Sequence, residues 1–542
     1  MMNTFGTAVE ENVASSEMFP LDIFAAKEHG IEKWRREFMW PLSDEWYARL
    51  CGTIEAAFVR HIVSDDSFIK NILLIQSGMR SEIWHYFHAV AVIRELREKN
   101  ITPVFSDRGK PYSDIMRNRH DADGITVRRQ RLGVKAMRIE MTELLRPFIY
   151  NFVLNKVTRV RMGRPQASVY GSLNHIMAHY LKRYPYSIDF MTRLHIPYIA
   201  GLESRLKNKV LDVSKCLARE LTQIAGNIGI PITSDEEAYV RSLVEDRLVK
   251  AAQTYMYLKG RLKSIGRTHL WLVNPGDIVS RALCTIVREN MGRVTTFTHG
   301  GNTGLYDTSV MSLSEFAFAD EFITYSGNSI KLFERIRDSH TPQTFHKVRI
   351  TSSDCDYYNR LRHKCRNGLL PKRIKKVMLI GYPHNQTRNY QANGYFSPMR
   401  LDLELRLVDM LKKAGYEVIY KVHPDRRKEI EGVFDSKVDV IGGYFENCLD
   451  KADAFLFGHI RTTSFPAALC TNKPIIALEM EGGVFRPFVD AMDLLKKRCT
   501  FVRTSFDERN RIVFDEDELL SALAKNPEPV NNEYVERYYF AQ

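Results

Sequence analysis

Two histidines and one hydroxyl-rich turn carry the chemistry of this sequence. His423 stands in Lys421-Val422-His423-Pro424, where the apolar, β-branched run Glu417 to Val422 stops at a proline. Such a run reads as a buried strand whose end emerges into a loop. Downstream, Ala454 to Phe457 reads as the next strand. It breaks at Gly458 into Arg461-Thr462-Thr463-Ser464, and Pro466 opens an Ala/Leu-rich helix. Hydroxyls before a helix can satisfy its free N–H groups, and a helix start attracts anions. His299 ends a third such run, in Thr298-His299-Gly300-Gly301-Asn302. There the paired glycines let backbone N–H groups approach a ligand closely. An imidazole and a hydroxyl-lined helix start suit a phosphate, and the His-Gly-Gly turn suits an oxyanion or sugar hydroxyls.

These side chains need strands to hold them and a crevice to face. In open parallel α/β sheets, ligands bind outside the carboxyl ends of the strands. The second half of the chain supplies that rhythm. Lys375 to Pro383 reads as a strand ending in the Gly381 turn. A helix follows from Ser397-Pro398, with Leu401, Leu405, Val408 and Leu411 on one face and Gly415 as its stop. After the central stretch come the strand Pro474 to Glu479, a helix near 488–497 and the strand Thr500 to Val502. An earlier α/β stretch runs from His269 to Ser326: a strand to Asn274, a helix Ile278 to Asn290, a strand to His299, and a short strand in FADEFITYS. Further upstream, Asn71 to Ser77 reads as a strand, Glu82 to Lys99 as a helix and Ile101 to Asp107 as a strand. The Ser77-Gly78 turn there lacks the GxGxxG of a dinucleotide site.

The expected organisation is α/β, with two Rossmann-like domains facing a cleft. It comprises a loosely packed lead-in over 1–66 anchored by Trp34, Trp40 and Trp46, and a first Rossmann-like domain over 67–345. That domain carries a large helical insertion at about 121–263. A linker over 346–374, a second Rossmann-like domain over 375–525 and a tail over 526–542 follow. The tail's aromatic end, YVERYYF, is expected to pack back onto the first domain.

Composition narrows the class. At 542 residues, with 44% hydrophobic and 26% charged residues, the chain is that of a two-domain globular protein. No apolar run is long enough to span a bilayer, and the first residues lack the order of a signal peptide. Eight scattered cysteines form no CxxC pair, so neither a zinc site nor a disulfide framework is expected. The expected location is cytoplasmic, peripheral at the inner face of the cell membrane. The net charge of +13 concentrates in Arg128 to Arg131, Lys156 to Arg164 and Arg360 to Lys376. No nucleic-acid motif accompanies these clusters, and an anionic lipid surface or a pyrophosphate-linked acceptor fits them.

The motifs sharpen the class further. Lys421-Val422-His423-Pro424 resembles the His-Pro motif of bacterial sialyltransferases, of capsule Kdo transferases and of related glycerophosphotransferases. Thr462-Thr463-Ser464 is similar to their downstream Ser/Thr motif, and Pro474 to Glu479 to a donor-domain strand of GT-B glycosyltransferases. Thr298 to Gly304 looks like the His-Gly-Gly segment of surface-carbohydrate transferases. The resemblance covers roughly the last half of the chain. It implies a metal-independent GT-B glycosyltransferase with no cofactor, moving a sugar from a nucleotide, a CMP-linked acidic sugar of the Kdo or sialic-acid kind. The acceptor would be a surface polysaccharide or glycolipid. The alternatives are a glycerophosphate or polyol-phosphate transferase using a CDP-activated donor, and a non-catalytic glycan-binding assembly protein. On this reading His423, Pro424, Thr462, Thr463 and Ser464 bind the leaving phosphate. Lys421 and Arg461 add charge, Glu479 meets the ribose and Gly381 borders the cleft. His299, Gly300, Gly301 and Asn302 face the acceptor. Asp307 and Asp277 are the candidate bases; the acidic motif that supplies the base in sialyltransferases is missing.

Overall fold

The computed structural model describes residues 17–63, 66–106, 167–171, 174–183, 188–191, 201–261, 269–300, 303–342, 345–366, 370–382, 397–423, 427–480 and 486–540. Two short strands, β1 (Met18–Pro20) and β2 (Thr102–Val104), pair in parallel and frame an N-terminal helical segment. The first large sheet contains β3 (Ala167–Tyr170), β4 (Ile188–Met191), β5 (His269–Leu272) and β6 (Arg293–Phe297). After β7 (Tyr306–Asp307) come its last two strands, β8 (Glu321–Thr324) and β9 (Arg349–Ser352). Its order is β4-β3-β5-β6-β8-β9, all parallel. The second sheet contains β10 (Lys376–Ile380), β11 (Glu417–Lys421), β12 (Asp439–Ile441), β13 (Ala454–Phe457) and β14 (Ile475–Met480). Beyond β15 (Arg486–Pro487) it adds β16 (Thr500–Phe506) and the antiparallel β17 (Ile512–Phe514). Its order is β12-β11-β10-β13-β14-β16-β17.

The fold is therefore α/β, with two Rossmann-like sheets. In the second, strands one to three run outward to one side and the fourth starts again beside the first. The order thus reverses between β10 and β13, where doubly wound sheets bind nucleotides. In the first sheet the reversal falls between β3 and β5. Helices cover both faces, so the central strands are apolar throughout. Along β10, Val377 and Leu379 enter one core while Met378 and Ile380 enter the other, as the period of two requires.

Several expectations are corrected. Asn71 to Ser77 is not a strand: Asn71 to Ile75 is the second half of the helix Ser67–Ile75, whose start is capped by Asp66 accepting from Phe68 N and Ile69 N, and Gln76 and Ser77 form the turn after it. A short apolar run cannot tell a buried strand from a buried helix, and the cap is what decides. Thr102–Val104 then pairs with β1 rather than with a βαβ neighbour. The first 66 residues are not loosely packed where they are described. Trp34 and Trp40 are each only 1% exposed. The segment also grips the second half, through Trp40 N to Arg509 O at 2.7 Å, Asn510 Nδ2 to Trp40 O at 2.8 Å and an Arg35–Asp409 ion pair. The stretch 121–263 is not helical alone, because it supplies β3 and β4 before the helices Ser204–Asn227 and Ser234–Arg261. Four-residue strands are too short to show a period. The expected linker contains β9, the edge strand of the first sheet, and the helix Tyr357–Arg366. The basic clusters at 128–131 and 156–164 lie outside the described residues. At the other end, the helix Glu533–Tyr538 packs on the first half. Ser326 Oγ donates to Tyr538 O at 3.0 Å, and Tyr539 lies 5.5 Å from Tyr325. Among the described residues no helix is long and apolar enough to cross a membrane.

Candidate functional site

The crevice at the β10/β13 reversal is built around Gly381. A Cβ there would overlap the Tyr420 phenol, so only glycine lets β10 turn this close to β11. The turn is locked by the buried Glu404, whose Oε1 accepts from Tyr382 N at 2.6 Å and whose Oε2 accepts from Tyr420 OH at 2.8 Å. On the other side of the crevice, buried Arg400 donates to Gly458 O at 2.7 Å. Its guanidinium lies 5.1 Å from the Tyr382 ring, and His459 meets the same ring edge-on at 5.1 Å. Arg461 reaches across to the Tyr306 ring at 6.0 Å. Burial pushes the Arg461 guanidinium down to about 10, with the Tyr306 and Tyr382 hydroxyls opposing that shift, so it stays cationic at neutral pH. Arg461 keeps part of its surface open.

The first half faces this crevice through the turn after β6. Asn174 Nδ2 pins it by donating to Thr298 O at 2.9 Å. Gly300 adopts φ +99°, and a Cβ there would lie 3.4 Å from Tyr325 OH and 3.5 Å from Thr463 Cγ2. The His-Gly-Gly and Thr-Thr-Ser turns, far apart in sequence, are thus brought together across the halves. His299 is exposed yet flanked by protein, and its surroundings lower its pKa by desolvation. It is therefore neutral at pH 7. A second bridge is the pairing of β7 with β15, Tyr306 opposite Pro487 and Asp307 opposite Arg486.

The remaining expected residues divide. His423 is half-buried just beyond β11, beside the Gly381 turn, where Gly381 N donates to Lys421 O at 3.0 Å. Pro424, Gly301 and Asn302 lie outside the described residues. Thr462 Oγ1 accepts from Ser464 N at 3.3 Å, and Thr463 is exposed. Pro466 lies within, rather than at the start of, the short helix Ser464–Leu469, and Thr463 makes no side-chain cap bond. Lys421 turns away from the crevice: its Nζ is buried and donates to Val422 O at 2.9 Å and Gly443 O at 2.7 Å. Glu479 is paired with Lys496 at 2.8 Å. Asp307 accepts from His340 Nε2 at 2.6 Å. Asp277 caps the helix Ile278–Glu289 in a reciprocal box with Ser280.

Sequence reading did not single out Arg400, His459, Tyr306 or Glu404. His459 follows a strand end and a glycine, so the rule that found His299 and His423 applies to it as well. Arg400 carries no local signal; its helix packs on β11, and the side chain reaches Gly458 just beyond β13. One group among the described residues could hold a metal: His179, Cys355 and Asp356 offer ligand atoms within 4.8 Å of one another. Burial raises the Cys355 thiol, and Asp356 is already paired with His179 and Arg360, both at 3.3 Å.

Two Rossmann-like halves, meeting at the carboxyl ends of their strands with a cationic crevice between them, define an α/β fold of the GT-B kind. No protein-family model matches the sequence, and no curated protein matches it. Among solved structures, UDP-N-acetylglucosamine 2-epimerase from Rickettsia bellii is similar with a TM-score of 0.36 and 13% identity, over 69% of this chain and 91% of that one.

Proposed function

We propose that the protein is a glycosyltransferase that binds a nucleotide-activated sugar in the β10/β13 crevice and transfers the sugar to a glycan or lipid-linked glycan. The observation that carries this reading is the approach of Gly300 to Thr463, which sets the His299 turn against the Arg461 to Ser464 turn. A donor phosphate between them would meet Arg461, the Thr462 and Ser464 hydroxyls and His423. Bond cleavage then leaves negative charge on that phosphate, and preorganised donors stabilise such charge in a water-poor site. Neutral His299 stands on the other face, suited to accept a proton from an acceptor hydroxyl. With Asp307 held by His340 and Asp277 used as a helix cap, His299 is the better-placed base.

The favoured donor is a CMP-linked acidic sugar, on the resemblance of the His-Pro and Ser/Thr motifs. Arg461 with Arg400 behind it favours a second reading, a diphosphate donor such as a CDP-polyol or UDP-sugar, since guanidinium groups suit paired phosphates. Calorimetric titration of CMP, CDP and UDP, followed by donor-hydrolysis assays, tests both. CMP binding with sugar release supports the first reading, and UDP binding without CMP binding overturns the CMP assignment. Absence of any nucleotide binding or hydrolysis would leave a glycan-binding assembly protein. Turnover is expected to persist in EDTA; loss restored by magnesium or manganese would contradict metal independence. Contact with an anionic membrane surface is part of the same proposal, through the basic segment Arg360 to Lys376.

A further inference from the structure

The first sheet has its own reversal, between β3 and β5, and an unusual set of polar groups gathers beside it. Arg281 sits in the first turn of the helix after β5 and donates through Nε to Pro275 O at 2.9 Å and through Nη1 to Ile75 O at 3.4 Å. Against it packs the turn Gln76 to Arg80, close enough that a Cβ on Gly78 would lie 3.2 Å from Arg281 Nη1. Arg80 is buried, donates from Nε to Ser77 O at 2.8 Å and lies 2.8 Å from Glu55. Glu55 is also held by Ser309 Oγ at 3.0 Å. Glu55 thus answers Arg80, and the Asp277 carboxylate lies close enough to act on Arg281. Burial, then the charge of Arg80, pushes Arg281 down to about 10.

Two buried atoms of this turn lack a hydrogen-bond partner among the described residues, Gln76 Oε1 and Ser77 Oγ, whereas Arg80 Nη1 is held by Glu55 Oε1 at 2.8 Å. Gln76 is 4% and Ser77 1% exposed. An unmet buried polar group is costly, so a ligand that bonds the Ser77 hydroxyl and Gln76 Oε1 is favoured. Arg281 and Gly78 are partly open to solvent, and Gly276 and Asp277 are exposed. The cluster is therefore reachable from outside, at the strand ends where such sheets take ligands.

We propose that Arg281, Ser77 and Gln76, with Arg80 behind them, form a second anion subsite, on the first half, that takes a phosphate or pyrophosphate group of the acceptor. The Arg281 guanidinium meets the phosphate oxygens, the Ser77 hydroxyl donates to one of them, and Gln76 Oε1 accepts from a neighbouring hydroxyl. The acceptor assignment rests on the transferase reading above; the anion site itself does not. Inorganic pyrophosphate titrated calorimetrically into the full-length protein should fill two sites. Arg281→Gln should weaken one of them at least tenfold and leave the other, Arg461→Gln should do the reverse, and Arg281→Lys should restore part of the loss. Ser77→Ala, nearly isosteric, should weaken the same site as Arg281→Gln and guards against misfolding of the arginine variant. Geranyl pyrophosphate in place of inorganic pyrophosphate identifies the carrier: tighter binding that Arg281→Gln abolishes marks a lipid-linked group, and equal binding marks a phosphorylated glycan. If Arg281→Gln and Ser77→Ala both bind like the wild type, or Arg461→Gln removes all binding, the subsite does not exist and water fills the turn. If Arg461→Gln changes nothing while Arg281→Gln removes a site, the donor reading fails and the subsite stands.

Discussion

The two halves treat their buried polar groups differently. In the second half, the acids of the helix Ser397–Lys413 are paired within the fold. Asp402 binds Arg406 at 3.0 Å and also binds Arg511, while Glu404 holds both Tyr382 N and Tyr420 OH. In the first half, Gln76 Oε1, Ser77 Oγ and Glu315 Oε2 have no hydrogen-bond partner among the described residues; in the second the unmet buried atoms include arginine nitrogens, Arg400 Nε and Arg498 Nε and Nη1. A crevice whose supporting acids are paired is stiffened before its ligand arrives. One whose polar atoms are unmet gains most from a ligand that meets them. On the proposed function, the second half would hold the donor in a crevice stiff beforehand, and the first would gain its order from the ligand.

The strongest way to break this contrast is at Gly381. Gly381→Ala places a methyl group inside the Tyr420 phenol and should dislodge the Glu404 lock, lowering stability by several kcal/mol and abolishing nucleotide binding. A variant with wild-type melting and binding would mean that the crevice is soft. His423→Ala should cost at least about a hundredfold in kcat, the scale of one lost donor to a developing charge, about 3 kcal/mol, with melting unchanged. Full turnover in the folded variant would remove this histidine from the mechanism.

His299→Gln should lower kcat about a hundredfold, the low end of the range for a lost general base, while nucleotide affinity holds. Desolvation keeps the imidazole neutral, so the acid limb of the wild-type rate profile should fall below pH 6.5 and vanish in the variant. An unchanged limb would assign it to another group. The smallest effect concerns Glu315, which burial raises from 4.5 to about 8. The folded state then prefers the protonated carboxyl. Its contribution is full below pH 4.5 and is lost as pH rises through about 8. Glu315→Gln should therefore match the wild-type Tm near pH 4 and exceed it by a few degrees at pH 9. Equal differences at both pH values would show that the carboxyl finds a charged partner.

Much of the second half was legible because its strands are continuous apolar runs closed by Gly, His or Pro, and local residue types dictate such ends. The strands β10, β11, β13 and β14, the turns at Gly381 and Thr462 to Ser464, and the strand-end positions of His299 and His423 all follow from that pattern. In the first half the same pattern gave β5, β6, β8 and the helix Ile278–Glu289, but the chain before His269 resisted. Its β3 and β4 are four residues each, too short for a period to emerge, and Asn71 to Ser77 is as apolar as a strand while Asn71 to Ile75 lies in a helix. Chain order alone could not bring Thr463 to Gly300, Arg400 to Gly458 or Arg281 to Gly78. Those meetings depend on how two sheets and an N-terminal strap of helices pack together. Packing sums many weak contacts between residues distant in sequence, which no local pattern encodes. Sequence by itself determined which residue types end which strands; the tertiary structure decided which of those ends share a crevice, and turned Lys421, Glu479 and Asp307 toward partners of their own.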